Sequence, residues 1–264
     1  MRPLSQIRLA PLGLGPLSLG VACALALAPL PIAQSRAASG IPAVVASAVA
    51  SAQRPETDKT RDVNRKPAEV VAFSGLKPGE KIIDFLPGTG YYSRIFSGVV
   101  GPRGHVYSFY PTELKKGQPQ AGEHPFAGLD NVTALRGSVN AVKAPEPVDM
   151  VWISDNYHDL HDPPFGPADL GKVNKSVYDA LKPGGIYLVL DHAAEPGSGL
   201  RDTNTRHRID EAVVKKEVEA AGFKLIGESK VLHNPADDHQ KRIFDPAIRG
   251  RTDQFILKFQ KPKG

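Results

Sequence analysis

The amino-acid sequence predicts an α/β fold: a seven-stranded, mostly parallel sheet with one antiparallel strand and helices on both faces. Short apolar segments of strand length alternate with longer helical segments over most of the chain. This alternation is typical of parallel strands joined by helices that cover both faces of a sheet. The last two predicted strands follow each other without a helix between them. One of these two strands is therefore expected to be antiparallel.

The predicted elements cover the chain from residue 62 to residue 260. Apolar residues between positions 62 and 74 predict a helix that ends in the Gly-Leu-Lys-Pro-Gly turn at 75–79. The predicted strands are 80–86, 104–110, 131–136, 148–153, 185–191, 223–232 and 252–260, and the helices between them are 91–99, 167–182 and 207–221. A polar segment joins the last two strands, either as a simple loop or as a lid over a ligand.

Residues 82–92, Ile-Ile-Asp-Phe-Leu-Pro-Gly-Thr-Gly-Tyr-Tyr, predict a buried strand that turns through Gly-x-Gly into a helix. Glycine allows a ligand to approach the backbone where a Cβ atom would collide, and the first turn of the helix offers unpaired N–H groups. A strand, glycine turn and helix at the start of an α/β unit indicate a nucleotide-cofactor site.

The first 38 residues have the layout of a secretory signal, with Arg2 and Arg8, then an apolar run without acidic residues, then small residues. Prolines and glycines interrupt the run, which disfavours the alternative of a transmembrane anchor. We expect cleavage and a periplasmic or secreted protein. Residues 39–60 are predicted to be an alanine-rich segment and linker, and residues 61–264 the folded domain.

Cys23 is the only cysteine and lies inside the predicted signal, so the mature chain has no thiol. The sequence Gly-Val-Ala-Cys at 20–23 is similar to a lipoprotein attachment box without its usual leucine, and lipidation is the less favoured alternative. Removing Arg2, Arg8 and Arg36 leaves 30 basic against 28 acidic residues, a net charge of +2. Such a near-neutral balance disfavours a nucleic-acid partner, and after cleavage no membrane partner is expected.

Four segments resemble, in the same order along the chain, the motifs of the class I S-adenosylmethionine-dependent methyltransferases. They are the first motif at 84–90, the second strand at 104–110, the fourth strand at 148–153, and the Leu-Lys-Pro-Gly-Gly turn at 181–185. The resemblance covers about residues 62–262 and implies a Rossmann-like fold and S-adenosylmethionine as cofactor. It implies these cofactor-binding residues: Asp84, Pro87, Gly88, Gly90, Tyr91, Tyr110, Ser154 and Asn156.

The segments 65–69, 87–92, 156–159 and 207–210 further resemble an exported, methyltransferase-like bacterial branch, which implies the cofactor class and says little about the acceptor. Two positions depart from the family pattern. Leu86 stands where the first motif has a third glycine, and Tyr110 stands where the second strand ends in the acid that binds the ribose hydroxyls. Loss of that acid removes charge-assisted hydrogen bonds of about 1.5–3 kcal/mol each.

The densest polar cluster, at 154–162, follows the fourth strand, and ligands of open α/β sheets bind at the carboxyl ends of strands. We expect His158 to act as general base with Asp159 as its orienting partner, and Tyr157 to complete the catalytic group. The alternative is that Asp155 and Asn156 only cap a loop whose histidines are solvated.

Substrate contacts are predicted at His192, after the fifth strand, and at His207 and Arg208, where Arg208 could instead pair with Asp210. Zinc or iron bound by His158, His161 and His192 with Asp159 or Asp191 is an alternative, but the spacing is loose and no metal site is predicted.

The prediction for function is therefore methyl transfer from S-adenosylmethionine to a small molecule. Two other classes stay open: a non-catalytic ligand-binding protein that kept the fold, and a His/Asp metal-dependent hydrolase. Leu86 and Tyr110 favour the binding protein, whereas the Gly-x-Gly turn and the His-Asp cluster favour the enzyme.

Overall fold

One seven-stranded sheet, in the order β3-β2-β1-β4-β5-β7-β6, forms the centre of the computed structural model. The strands are β1 Lys81–Phe85, β2 His105–Pro111, β3 Val132–Gly137, β4 Val148–Ser154, β5 Leu181–His192, β6 Lys224–Ser229 and β7 Gln254–Gln260. Only β7 runs antiparallel to its neighbours. The predicted fold class is confirmed. The structure describes residues 40–114, 118–163, 165 and 168–264, so the predicted signal at 1–38 lies outside the described residues.

The helices are α1 Ala43–Val49, α2 Glu56–Lys59, α3 Asp62–Arg65, α4 Pro67–Ser74, α5 Tyr91–Val100, α6 Leu170–Ala180, α7 Thr203–Arg206 and α8 Glu211–Ala220. Two predicted helices are shorter than expected. The helix predicted over 62–74 breaks at Lys66, which has a left-handed backbone with φ of 41°. The helix predicted over 207–221 begins only after Asp210, whose side chain accepts the backbone N–H of Ala212. The left-handed backbone at Lys66 and the side-chain cap at Asp210 set these helix limits, although the periodic pattern of apolar residues continues past them.

Residues 40–60, in the segment predicted to be alanine-rich and to include a linker, belong to the same compact unit as the sheet. Val45 and Ala48 on α1 are buried against α5, where Gly98 leaves room for the side chain of Ala48. Arg54 is also buried and makes a bidentate ion pair with Asp62. Burial of one face of α1 and of this ion pair is the physical reason why the segment is part of the domain.

Two apolar layers flank the sheet. One layer packs α1, α4 and α5 around Trp152, whose ring centroid lies 4.8 Å from that of Phe96 and 4.9 Å from that of Tyr92. The other layer packs α6 and α8 around Tyr157 and Tyr187. No helix among the described residues is long and apolar enough to cross a membrane.

Strand order reverses between β1 and β4, because the chain runs outward to β2 and β3 and then returns to the other side of β1. In open α/β sheets this switch point, at the carboxyl ends of the strands, is where ligands bind. The connection from β2 to β3 contains no helix in its described part, and the backbones of Gly122 and Glu123 instead pair with Ala134 on β3.

Candidate active site

A cavity of about 600 Å³ opens at the carboxyl ends of β4 and β5, beside the switch point. Its walls come from the segment around α3, the first turn of α5, the loop after β4, the end of β5, the end of α7 and the connection between β6 and β7. The lining residues used below are Arg61, Arg65, Tyr92, Asp155, Asn156, His158, Asp159, His192, His207, Phe244, Thr252 and Gln254. Of the predicted site residues, the cavity brings together Asn156, His158, Asp159, His192 and His207.

Asp155 forms a charged link between the loop after β4 and α3. Its Oδ2 lies 2.9 Å from Nη2 of Arg65, and its Oδ1 accepts Nε2 of Gln254 at 2.6 Å. Burial alone would raise the pKa of Asp155, but the charges of Arg65, His192 and His158 and the hydrogen bond from Gln254 together outweigh burial, and the pKa is lowered. Asp155 is therefore an anion at neutral pH, on the wall nearest the switch point.

His158 is buried between two carboxylates. Its Nδ1 lies 2.8 Å from Oδ1 of Asp191, its backbone N–H donates to Oδ2 of Asp191 at 2.8 Å, and its Nε2 lies 3.3 Å from Oδ1 of Asp159. Burial alone would lower the pKa of His158, but the charges of Asp191 and Asp159 outweigh it and raise the pKa to about 10. An imidazole that keeps its proton at neutral pH is a poor general base. A raised pKa is unfavourable to the predicted role of His158 as general base, and that role stays a prediction.

His192 is the histidine of the cavity whose environment favours the neutral form. Burial lowers the pKa of its imidazole, and the charges of Asp155 and Asp191 do not compensate. Its Nδ1 lies 2.8 Å from Oγ1 of Thr252, and its Nε2 lies 3.8 Å from Oδ1 of Asp155. A neutral imidazole held through one nitrogen can accept a proton at the other.

Asp159 stands between two histidines. Its Oδ1 is 3.3 Å from Nε2 of His158 and 3.4 Å from Nδ1 of His207, and one ligand atom from each of the three residues lies within 4.8 Å of the others. His207 reaches this position because it ends α7 in a left-handed backbone with φ of 57°. The ring of Phe244 packs against it at 5.0 Å. Two imidazoles and a carboxylate on one wall are a donor set suited to zinc or iron.

Two other predicted residues, a tyrosine and a histidine, lie away from the cavity. Tyr157 is fully buried on the α6/α8 face, where its hydroxyl lies 3.0 Å from Oε2 of Glu217 and accepts Nδ2 of Asn174 at 2.9 Å. His161, considered for the metal alternative, lies 3.3 Å from the same Glu217 carboxylate. Both side chains serve the packing of α6 and α8, because the 3-10 turn His158–His161 rotates successive side chains to different sides.

Arg208 is a structural anchor in place of the predicted substrate contact. Its side chain is fully buried and donates to the backbone oxygens of Ala193 and Lys241, and it pairs with Asp237 at 2.9 Å. The alternative pairing with Asp210 is not seen, since Asp210 caps α8 and accepts the N–H groups of Gly197 and Gly199. Arg208 thereby holds the connection between β6 and β7 over the cavity.

The predicted cofactor residues of β1 and β2 lie beside this cavity and are absent from its lining. Asp84 is buried and accepts the hydroxyl of Ser93 at 2.5 Å, and burial raises its pKa to about 7. Tyr110 is also buried. Tyr91 donates its hydroxyl to Asp62 at 2.6 Å. Pro87 is half-buried. The backbone carbonyl of Ser154, at the end of β4, accepts a hydrogen bond from Nδ2 of Asn156.

The glycine turn keeps the backbone of the family motif. Leu86 has φ of 61°, the left-handed region that favours glycine, so a leucine side chain stands on a backbone shaped for the missing glycine. Gly88 and Gly90 have φ of 56° and 81°. A Cβ atom on Gly90 would lie 2.0 Å from Cζ of Phe126, whose ring covers this glycine.

Several residues of the site are not predicted from the sequence. Arg61, Tyr92, Thr252 and Gln254 line the cavity, and Phe126 covers Gly90. Tyr92 directly follows the predicted Tyr91 in the motif. The others carry no local signal, because they reach the site from segments remote in sequence.

No protein-family model matches the chain. The ubiquinone/menaquinone biosynthesis C-methyltransferase UbiE of Vibrio cholerae serotype O1 is 31% identical over 192 residues, which cover 70% of this chain and 69% of that protein. A SAM-dependent methyltransferase from Aquifex aeolicus superposes with a TM-score of 0.51 at 20% identity, over 79% of this chain and 98% of the other. An arsenic(III) S-adenosylmethionine methyltransferase from Chlamydomonas reinhardtii gives a TM-score of 0.51 at 17% identity, over 84% and 74%.

The fold, the switch-point cavity and these relatives define an enzyme of the methyltransferase class. The chain belongs to the class I S-adenosylmethionine-dependent methyltransferase family.

Proposed function

We propose that this protein transfers the methyl group of S-adenosylmethionine to a hydroxylated small molecule bound in the cavity beside the switch point. The observation that carries the proposal is the cavity itself: about 600 Å³, with a charged wall at α3 and β4 and a neutral-form histidine at the end of β5. A volume of this size accommodates a small-molecule ligand.

The residues next to the switch point fit the amino-acid end of the cofactor. Arg61 has a buried Nε atom without a hydrogen-bond partner among the described residues, and Arg65 adds a second guanidinium for a carboxylate. The anionic Asp155 suits an ammonium group. When bound, S-adenosylmethionine supplies an electrophilic methyl group on a sulfonium centre. Tyr110 offers a phenol where the family has the acid that binds ribose, so affinity is expected to rest on the amino-acid end.

His192 is the residue that we assign to the acceptor's proton. Its Nε2 takes the proton from the acceptor hydroxyl, while Nδ1 stays hydrogen-bonded to Thr252 and keeps the ring oriented. Asp155 at 3.8 Å from Nε2 stabilises the imidazolium that results. The relative from Vibrio cholerae is named for carbon methylation in quinone biosynthesis. Deprotonation of a ring hydroxyl activates either the oxygen or a ring carbon, so this arrangement serves both outcomes.

The first test is calorimetric titration of the full chain with S-adenosylmethionine and its demethylated product. We expect saturable binding, weakened about 10- to 100-fold by Arg65→Ala because a charge-assisted hydrogen bond is lost. Arg242→Ala, on an exposed residue, is the matched control and should bind as the wild type. Absence of binding by the wild type at millimolar ligand contradicts the proposal.

The second test supplies the acceptor. The chain is incubated with S-adenosylmethionine labelled in its methyl group and a small-molecule extract, and labelled products are separated by chromatography. We expect a labelled product whose formation falls about 10²- to 10⁴-fold in His192→Gln. Equal labelling by both proteins contradicts the role of His192, and cofactor binding without any labelled product favours a ligand-binding protein.

We also propose that residues 1–38 direct the chain out of the cytosol, as a periplasmic or secreted protein. The basic start, apolar run and small residues before position 38 support this. Fusion of residues 1–45 to a reporter that is active only after export tests it. Activity lost on replacing Arg2 and Arg8 with glutamate supports the proposal, and a reporter that stays in the cytosol contradicts it.

A further inference from the structure

We propose that His158, Asp159 and His207 bind one divalent transition-metal cation, Zn²⁺ or Fe²⁺, on the wall of the cavity. The ligand atoms are Nε2 of His158, Oδ1 of Asp159 and Nδ1 of His207. The site comes from the geometry of these three residues and is independent of methyl transfer.

The two distances from Oδ1 of Asp159 to the histidine nitrogens fit a metal better than they fit hydrogen bonds. Asp159 Oδ1 is 3.3 Å from His158 Nε2 and 3.4 Å from His207 Nδ1. Ligands at about 2.0–2.1 Å from a tetrahedral cation lie about 3.4 Å from one another. Good charged hydrogen bonds between nitrogen and carboxylate oxygen are shorter, at about 2.7–2.9 Å.

The Nε2 atom of His158 faces the same space without a hydrogen bond. His158 is 1% exposed, and the 3.3 Å contact of its Nε2 with Oδ1 of Asp159 does not have the geometry of a hydrogen bond. A buried polar nitrogen without a hydrogen bond is costly, and a cation between Nε2, Asp159 and His207 would satisfy it. The imidazole binds through its neutral form, so the Nε2 proton is released to solvent when the cation binds.

The other nitrogen of His158 is held as in known metal sites. Nδ1 lies 2.8 Å from the fully buried Asp191, whose second oxygen accepts the backbone N–H of His158. A carboxylate on the far nitrogen orients a ligating histidine and selects the tautomer that presents Nε2 to the metal. Asp191 is therefore a positioning residue in this proposal.

A second cluster of the same composition provides an internal contrast. Asp253 lies between His233 and His239, but each histidine approaches a different carboxylate oxygen at 2.9 Å. These contacts are complete hydrogen bonds and leave no gap for a cation. The cluster of His158, Asp159 and His207 therefore has room for a metal, whereas the cluster around Asp253 is a closed network of ion pairs.

Three protein ligands leave a fourth position open toward the cavity, which is the pattern of catalytic zinc sites. A hydroxyl group bound there would lose its proton at lower pH, because the cation stabilises the oxyanion. The chemical class of ligand for the open position is thus a small molecule with a hydroxyl or enol oxygen. His192, on the same wall, lies with its ring centroid 6.1 Å from that of His158.

The test uses the untagged full chain and the metal alone as probe. After dialysis against a weak chelator, Zn²⁺ is titrated in competition with a chromogenic chelator, and Co²⁺ is added separately to read the visible absorption of a four-coordinate site. We expect one equivalent of bound metal per chain and an intense visible Co²⁺ spectrum.

Variants locate the metal. Asp159→Asn and His207→Ala should each weaken Zn²⁺ binding at least 100-fold, and Asp191→Asn about 10- to 100-fold through the orientation of His158. His239→Ala, from the closed cluster, is the matched control and should keep wild-type affinity. His207 is partly exposed, so His207→Ala is informative even where Asp159→Asn fails to fold, and thermal melts monitor folding throughout. Absence of one-equivalent binding by the wild type, or equal loss in His239→Ala and His207→Ala, overturns the proposal.

Discussion

The carboxyl edge of the sheet has two halves that differ in how they are filled. The cofactor half, over β1 and β2, comprises Asp84, Leu86, Gly88, Gly90, Tyr110 and Phe126. The protein's own side chains fill it except at Gly88, which faces open space. Over β4 and β5, the acceptor half, comprising Asp155, His158, Asp159, His192 and His207, surrounds an open cavity with ionised and polar groups. The half that carries the family's sequence motif is therefore the more closed of the two.

In the motif the backbone has the conformation that glycine favours, whereas side chains fill the space above it. Leu86 keeps the left-handed backbone of a glycine, and Gly90 is required by the ring of Phe126 as well as by any ligand. In the acceptor half, ion pairs hold the side chains in place. The paired residues are Arg65, Asp155, His158, Asp191 and Arg208. The substitutions below test this difference, and those with the greatest predicted effect come first.

Replacing Arg208 with alanine should destabilise the protein most, by about 3–5 kcal/mol, because the buried carboxylate of Asp237 loses its partner. The connection between β6 and β7 then detaches from the acceptor half, since Arg208 also donates to the carbonyls of Ala193 and Lys241. Urea unfolding measures the free energy. Arg242→Ala, an exposed residue on the β6–β7 connection that Arg208 holds, should change this free energy by less than about 0.5 kcal/mol. Equal effects of the two variants would show that Arg208 is no anchor.

Replacing Asp84 with asparagine should stabilise the cofactor half in a pH-dependent way. The pKa of Asp84 is raised to about 7 by burial, above its unfolded value of 3.8, so the folded state holds the proton more tightly. Stability is therefore lost as pH rises from about 4 to 7, by roughly 4 kcal/mol at most. Asp84→Asn removes this loss: its melting temperature should exceed that of the wild type at pH 8 and equal it near pH 4. A constant difference across this range contradicts the assignment.

The two glycines of the turn should respond differently to alanine. Gly88→Ala meets open space and costs about 1–2 kcal/mol through its positive φ alone. Gly90→Ala also collides with Phe126 and should cost about 1–3 kcal/mol more. Adding Phe126→Ala should recover that extra cost at Gly90 and none at Gly88, as a double-mutant cycle in urea unfolding would show. Additive effects at both glycines would mean that the ring does not constrain Gly90.

Tyr157→Phe should have the smallest effect, about 1 kcal/mol of stability and no change in affinity for S-adenosylmethionine. The hydroxyl contacts Glu217 and Asn174 on the α6/α8 face, away from the cavity. Calorimetric titration beside the wild type measures the affinity. A loss of affinity larger than about threefold would place Tyr157 back in the site, as the sequence predicts.

Strand positions are predictable from the sequence because apolar periodicity is a local property. The predicted and observed limits of β1 to β4 agree within one residue, and β7 begins two residues late. β5 begins at Leu181, four residues before its predicted start, because Leu181 pairs with Val148 ahead of an irregularity in the ladder. Helix limits agree less well where Lys66 and Asp210 impose a break or a cap.

The α/β class, the glycine turn after β1 and the polar cluster after β4 follow from the sequence, because each depends on neighbours within about ten residues. Three features follow from tertiary packing instead: His207 lies beside His158 and Asp159, Tyr157 and Arg208 point away from the cavity, and Phe126 covers Gly90. These contacts join residues 29 or more positions apart or depend on the backbone rotation of a single turn. Their partners are set by the packing of whole elements, and no local pattern records that packing.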